Sequence, residues 1–230
     1  MSSIVSNSFA GCSSLKTVTI LEGLTTIGND AFNNCSSLES VTLPNSITSI
    51  GQFGNFFGHP TIVYNEYENG LYLGNSDNPY LYLCAIRNSS INSFTFHYNC
   101  KLNNNDAFHN CSSLESVTLP DSLISIASNT FESCHLLKSI TIPSSVTTIG
   151  EYAFYNCSSL ESVIIPNSVT RIINNLFTEN CSTCVFFAGT KEEYGAIDGF
   201  INFSQKVYYY SDTDKGNEYW HYVNSVPTIW

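Results

Sequence analysis

Charge is scarce in this chain. Only 12% of its 230 residues are Asp, Glu, Lys or Arg, and 8 basic residues face 19 acidic ones, for a net charge of −11. A nucleic-acid surface needs cations gathered against phosphates, so that class of partner is excluded. An anionic membrane surface is excluded on the same ground. Long apolar runs are missing as well, and none approaches the ~20 residues of a spanning helix, which excludes membrane insertion. The opening MSSIVSNSFAGC has neither the basic segment nor the apolar stretch of a secretory signal. Reaction motifs are absent too. There is no H-E-x-x-H, no G-x-x-x-x-G-K-[ST] and no G-x-G-x-x-G. None of His59, His97, His109, His135 and His221 stands with Ser and Asp in a nucleophile motif, and His109 and His135 read as surface turns. The expectation is a chain that is not an enzyme and has no cofactor and no metal site.

What the chain has is repetition. The stretch NNCSSLESVTLPNSITSIG, 33–51, returns almost unchanged as YNCSSLESVIIPNSVTRI, 155–172. Phe9 and Phe32 are 23 residues apart, and Phe108, Phe131, Phe154 and Phe177 keep that spacing. From each Phe the unit reads F-x-x-C-x-x-L-x-x-V-x-L-P-x-x-V-x-x-I-x-x-x-A. The copy at Phe32 supplies Cys35, Leu38, Val41, Leu43, Pro44, Ile47 and Ile50, and the copies at Phe108, Phe131 and Phe154 fill the same places. The alternation Val41-x-Leu43 is the period of a strand with one buried face. Pro44, Pro120, Pro143 and Pro166 lack the N–H a ladder needs, so each ends its strand and turns the chain into a second short strand. One such coil cannot bury its own apolar side, whereas coils stacked at ~4.8 Å share one core. A β-rich solenoid follows.

Ile4 precedes Phe9 as Ile27 precedes Phe32, so residue 1 falls inside a repeat, and the expectation is a fragment whose first strand is missing. Ile91, Phe94, Phe96 and Ala107 mark a degenerate copy with aromatic replacements. Between Gln52 and Ser90 the period is lost in a segment dense in aromatics, where LYLGNSDNPYLYL reads as two strands around an Asn- and Pro-rich turn. Near the end, Thr190 and Glu193 stand at capping-box spacing and start a short helix, and KVYYYS and YWHYVNSVPTIW read as covering strands. The boundaries expected are repeats over 1–52, an aromatic insertion over 53–90, repeats over 91–184 and a C-terminal α/β cap over 185–230.

The unit F-x-x-C-S-S-L-x-x-V-x-L-P-x-S-V-x-x-I-G-x-x-A-F, carried by the copies at Phe9, Phe32, Phe108, Phe131 and Phe154, resembles the BspA-like class of leucine-rich repeats. The match covers about half of the chain. The resemblance implies a surface or secreted protein of anaerobic bacteria or parasitic protists, with adhesive or partner-binding roles and no enzymatic activity. It says little about a ligand, because the residues that define the repeat are the buried ones.

Nine cysteines leave at least one unpaired. Five share the context Phe-x-x-Cys, and buried free thiols are the reading preferred over disulfides there, since stacked equivalents point the same way. Cys181 and Cys184 form C-x-x-C. That spacing is open to a disulfide, to a metal or to decay of the repeat, with Cys184 in the place of a core Leu. Asn34, Asn110, Asn156, Asn180, Asn88 and Asn202 stand in N-x-S and are read as turn residues rather than glycan acceptors.

Candidate binding residues come from exposure. With Val41 and Leu43 inward, Ser40 and Thr42 face outward, as do Thr118 and Thr141 in later copies. Beside them runs a charge row of Lys16, Glu39, Glu115, Lys138 and Glu161. The insertion adds Tyr64, Tyr67, Tyr72, Tyr80 and Tyr82, since aromatic rings dominate interface energetics. The partner expected is a protein or a glycan on a host cell or matrix. The competing expectation is a structural spacer with no ligand of its own.

Overall fold

The structure, a computed structural model, describes residues 2–51, 61–178, 183–199, 207–223 and 226–230. Phe53, Phe56, Phe57, Asn180, Cys181 and Asn202 lie outside them, and with Cys181 the C-x-x-C expectation.

Each coil carries two short strands, and each strand pairs in parallel with its counterpart about 23 residues on. In the first row Thr17, Val18 and Thr19 stand opposite Ser40, Val41 and Thr42. Ser93, Phe94 and Thr95 stand opposite Ser116, Val117 and Thr118, and Ser139, Ile140 and Thr141 opposite Ser162, Val163 and Ile164. In the second row Ile4, Ile27 and Ile50 align, and so do Ile126, Ile149 and Ile172. Equivalent residues therefore meet. The rings of Phe108, Phe131 and Phe154 stack at 5.2 and 5.7 Å, and those of Phe9 and Phe32 at 5.3 Å. Leu38, Leu114, Leu137 and Leu160 are buried beneath them.

The corners follow from backbone chemistry. At Pro44, Pro120, Pro143 and Pro166 the proline carbonyl accepts the N–H three residues on, at 3.0–3.3 Å, closing a tight turn. Pro166 ends its strand as expected, but as the last residue of Ser162–Pro166, because the neighbouring strand Cys184–Ala188 runs alongside to that point. Asn34, Asn110, Ser133 and Asn156 adopt left-handed φ of 59 to 61°, a conformation Asn tolerates well. The N-C-S asparagines in the described part are therefore turn residues.

The repeated cysteine has a packing reason. Cys35, Cys134 and Cys157 each donate their thiol to the carbonyl of the Phe opening the preceding coil (Phe9, Phe108 and Phe131), at 3.0–3.3 Å. All eight described cysteines are free.

The insertion is built into the stack rather than projecting from it. Asn65–Tyr67, Gly70–Leu73 and Tyr82–Ile86 form an antiparallel meander, and Tyr82–Ile86 pairs in parallel with Leu102–Asn103 of the next coil. On the other side Gly74 bridges to Thr42, and its carbonyl accepts the Leu43 N–H at 2.9 Å. Alternation along Tyr82–Ile86 sends Tyr82 and Cys84 into the core of the N-terminal coils and Leu83 into that of the later ones. A strand buried on both faces makes this segment a septum that joins the two cores.

At the far end the first-row sheet continues through Cys184–Ala188, Val207–Tyr210, Tyr219–Val223 and, antiparallel, Val226–Ile229. The outward positions turn apolar here. Ile164, Phe186 and Tyr208 align across the strands and join Trp220 in a small separate core. The Trp220 indole donates to the Phe187 carbonyl at 2.9 Å. The short helix Lys191–Gly195 forms with a complete capping box, Thr190 Oγ1 accepting the Glu193 N–H and Glu193 Oε2 accepting the Thr190 N–H. No helix among the described residues is long and apolar enough to cross a membrane.

Candidate functional site

The outward positions of the first row lie where alternation places them. Ser40 and Thr42 are half-buried, while Thr17, Thr19, Ser116, Thr118, Ser139 and Thr141 are exposed. Parallel registry lines them into two columns of hydroxyls, spaced by about 4.8 Å along the stack and about 7 Å across it. Beside them Lys16 pairs with Glu39 at 3.3 Å and Lys138 with Glu115 at 3.4 Å, and exposed Glu161 follows one rung on. Such solvated pairs contribute at most about 1 kcal/mol each, so their effect is charge pattern rather than stability. The insertion interrupts the row. Glu39, Ser40 and Thr42 form one patch, and Glu115, Thr118, Lys138, Thr141 and Glu161 another.

The tyrosines of the insertion divide into two groups. Tyr72 and Tyr82 are fully buried, which corrects their assignment to a binding surface. Both face the core because the meander packs inside the stack, and the Tyr72 hydroxyl accepts the His97 N–H at 3.2 Å. Burial pushes the phenols of Tyr64, Tyr72 and Tyr82 up. Tyr67 and Tyr80 are half-buried and gather with two residues that sequence reasoning missed, His97 and Tyr98. The Tyr80 ring stacks on His97 at 3.9 Å, His97 on Tyr98 at 4.4 Å, and Tyr67 meets His97 edge-on at 4.9 Å. Tyr98 is 74% exposed at the outer end of this stack. Burial lowers the His97 pKa, so its imidazole is neutral at pH 7 and packs as a ring. A signal was present: His97 stands 23 residues before Pro120, where other copies carry the turn proline.

The BspA type leucine-rich repeat region matches residues 1–62 and 82–194 in six copies, leaving out only the heart of the insertion and the end of the chain. The chain belongs to the BspA type leucine-rich repeat family. No curated protein matches it. Among solved structures it is similar to a leucine rich cell surface protein of Faecalibacterium prausnitzii A2-165, at 25% identity and a TM-score of 0.46, over 84% of this chain and 65% of that one. It is also similar to the leucine-rich repeat protein TpLRR of T. pallidum, at 25% identity and a TM-score of 0.34, over 80% and 62%. The pneumococcal vaccine antigen PcpA aligns at 16% identity and a TM-score of 0.48, over 92% and 66%. The chain spans less than two thirds of the length of each.

Against this repeat background two further features stand out. A cleft of about 650 Å³ crosses the second strands between Ser49, Asn103, Ser125 and Thr148, and its described lining includes neither His nor Cys. At a corner of the stack, Asp106, His109 and Glu132 bring one nitrogen and two carboxylates together, with ligand atoms within 4.8 Å of one another. His109 does sit on a turn, as read from the sequence, but in a charged group that the expectation of no metal site had passed over. Position 132 is position 109 plus one repeat, so aligning the copies would have placed the two side by side.

Proposed function

We propose that this BspA type chain is a non-enzymatic binding module at a cell surface, recognising a protein or glycan partner. The observation that carries the reading is the ring stack Tyr80–His97–Tyr98, solvent-facing at Tyr98 and pinned from beneath by Tyr72. An exposed ring held in place offers contact area at little ordering cost, and its face suits the C–H face of a sugar or a protein side chain. The hydroxyl columns and the charge pairs of Glu115 with Lys138 and Lys16 with Glu39 supply polar selectivity on the strand rows. In this reading 1–52 and 91–184 are scaffold, 53–90 positions the rings and 185–230 covers the last coil. Placement at a cell surface follows the family resemblance.

The test is binding of the immobilised chain to a panel of glycans and matrix proteins. Tyr98→Ala is expected to weaken the retained partner about 30-fold, roughly 2 kcal/mol. Its urea midpoint should stay near that of the parent, since Tyr98 is largely exposed. Unchanged affinity in Tyr98→Ala, or no partner across the panel, would leave the spacer role standing instead.

A further inference from the structure

We infer that Asp106, His109 and Glu132 form a binding site for a divalent first-row metal ion, clasping two consecutive coils. The site is a product of stacking. Asp106 opens a turn with φ of 59° and His109 closes it, its N–H donating to the Asp106 carbonyl at 3.0 Å. Glu132 occupies the His109 position one coil on, and its carbonyl accepts the Asn110 N–H at 2.9 Å. The backbone thus sets all three side chains side by side before any ion arrives.

The donor geometry fits. His109 Nδ1 lies 3.4 Å from Glu132 Oε2 and 3.9 Å from Asp106 Oδ1. Two ligands each about 2.1 Å from a tetrahedral zinc are about 3.4 Å apart, so the His–Glu edge already matches, while the Asp106 oxygen, at 3.9 Å from the nitrogen, has to close in on the ion. His109 Nδ1 is itself shielded from solvent and makes no hydrogen bond, although its ring is partly exposed. A nitrogen withdrawn from water and facing two carboxylates takes a cation between them, either its own proton or a metal ion, and the zinc titration separates the two. Asn129 supports the arrangement, donating from Nδ2 to Asp106 Oδ1 at 2.9 Å and so orienting that carboxylate. Imidazole with carboxylates is a donor set for zinc and its first-row neighbours rather than for calcium. Among the described coils the neighbours break the set, the next one carrying Tyr152 and Tyr155 at the Asp and His positions.

Zinc is the probe, titrated by calorimetry into the full chain after chelator treatment and under a non-chelating reductant. One equivalent is expected to bind. His109→Ala and Glu132→Gln should each weaken it on the order of 100-fold, and Asn129→Ala by about 10-fold. Because free cysteines compete for zinc, cobalt is titrated in parallel, and the site predicts a spectrum without thiolate-to-cobalt charge transfer. Circular dichroism checks that each variant folds, and two ligand variants keep the test open if one does not. Absence of zinc binding, binding unchanged in both ligand variants, or a thiolate signature that accounts for the whole stoichiometry would overturn the assignment.

Discussion

Phe131→Ala is expected to lower the unfolding free energy by about 4 kcal/mol. The ring is wholly buried and stacks on Phe108 at 5.2 Å and Phe154 at 5.7 Å. Truncation removes its transfer free energy, leaves a cavity and breaks two ring contacts, each contributing about 0.5–1.5 kcal/mol beyond burial. The backbone around it is committed as well, with the Phe131 N–H donating to the Ala153 carbonyl and its own carbonyl accepting the Cys157 thiol at 3.0 Å. Relaxation into the void is therefore restricted. Nearest-neighbour coupling in a stack transmits the defect to the adjoining coils. Phe9 provides the contrast. It is 42% exposed in the first coil, where Phe32 stacks on it from one side. Phe9→Ala should cost a little over half as much on buried area, about 2 kcal/mol, since the Phe9 ring is 42% exposed. Urea denaturation followed by far-ultraviolet circular dichroism checks both, and equal losses for the two variants would contradict the stacked core.

Alkaline conditions should have a comparable effect. Burial pushes the Cys100 thiol from an ordinary 9.0 up to about 12 and Cys111 up to about 11, and it raises Cys35, Cys84 and Cys134 as well. A thiol is neutral when protonated, so the folded state holds these protons to higher pH than the unfolded state does. The stabilisation is complete below pH 9, where both states are protonated, and is lost as pH climbs from there toward 12. For Cys100 alone that loss reaches about 4 kcal/mol. The buried phenols of Tyr72, Tyr82 and Tyr194 act in the same direction at the top of the range. Stability measured by denaturant at a series of pH values should be flat from pH 7 to 9 and then fall steeply. Thiol labelling of the native chain at pH 8 should reach exposed Cys12 first and half-buried Cys184 next, with the six buried thiols reacting only on unfolding. A steep loss of stability below pH 9, or rapid labelling of Cys100 and Cys134 in the native chain, is the opposite result.

The buried positions of the repeat were legible because burial constrains them alike in every coil. Phe, Leu, Val and Ile at fixed spacing located the core, and Pro located the turn. Tyr72 and Tyr82 were misread for a physical reason. Choosing rings for their weight in interfaces assumes that they reach water, whereas Tyr82–Ile86 has a core on each side and Tyr72, on the neighbouring strand, is buried in the core of the later coils. Tyr98 and His97 were passed over because their copy departs from the repeat, and the departure is what frees them to form the ring stack. The end of the solenoid carried a readable signal. Outward positions change from Thr118 and Thr141 to Ile164, Phe186 and Tyr208, and apolar residues on an outward face announce a cover. The Asp106, His109 and Glu132 group lies in variable positions, which the search for reaction motifs does not reach. It emerges only when neighbours are defined by the stack rather than by the chain.

The stack itself is tested most directly by scalar couplings across hydrogen bonds in the nuclear magnetic resonance spectrum. The Thr147 N–H donates to the Ile124 carbonyl at 3.0 Å, Thr170 to Thr147 at 3.0 Å, and Glu161 to Lys138 at 3.1 Å. Couplings linking these nitrogen and carbonyl-carbon pairs, each one repeat apart, are the predicted result. Amides of Thr147, Thr170 and Glu161 coupled instead to carbonyls at unrelated separations would contradict it.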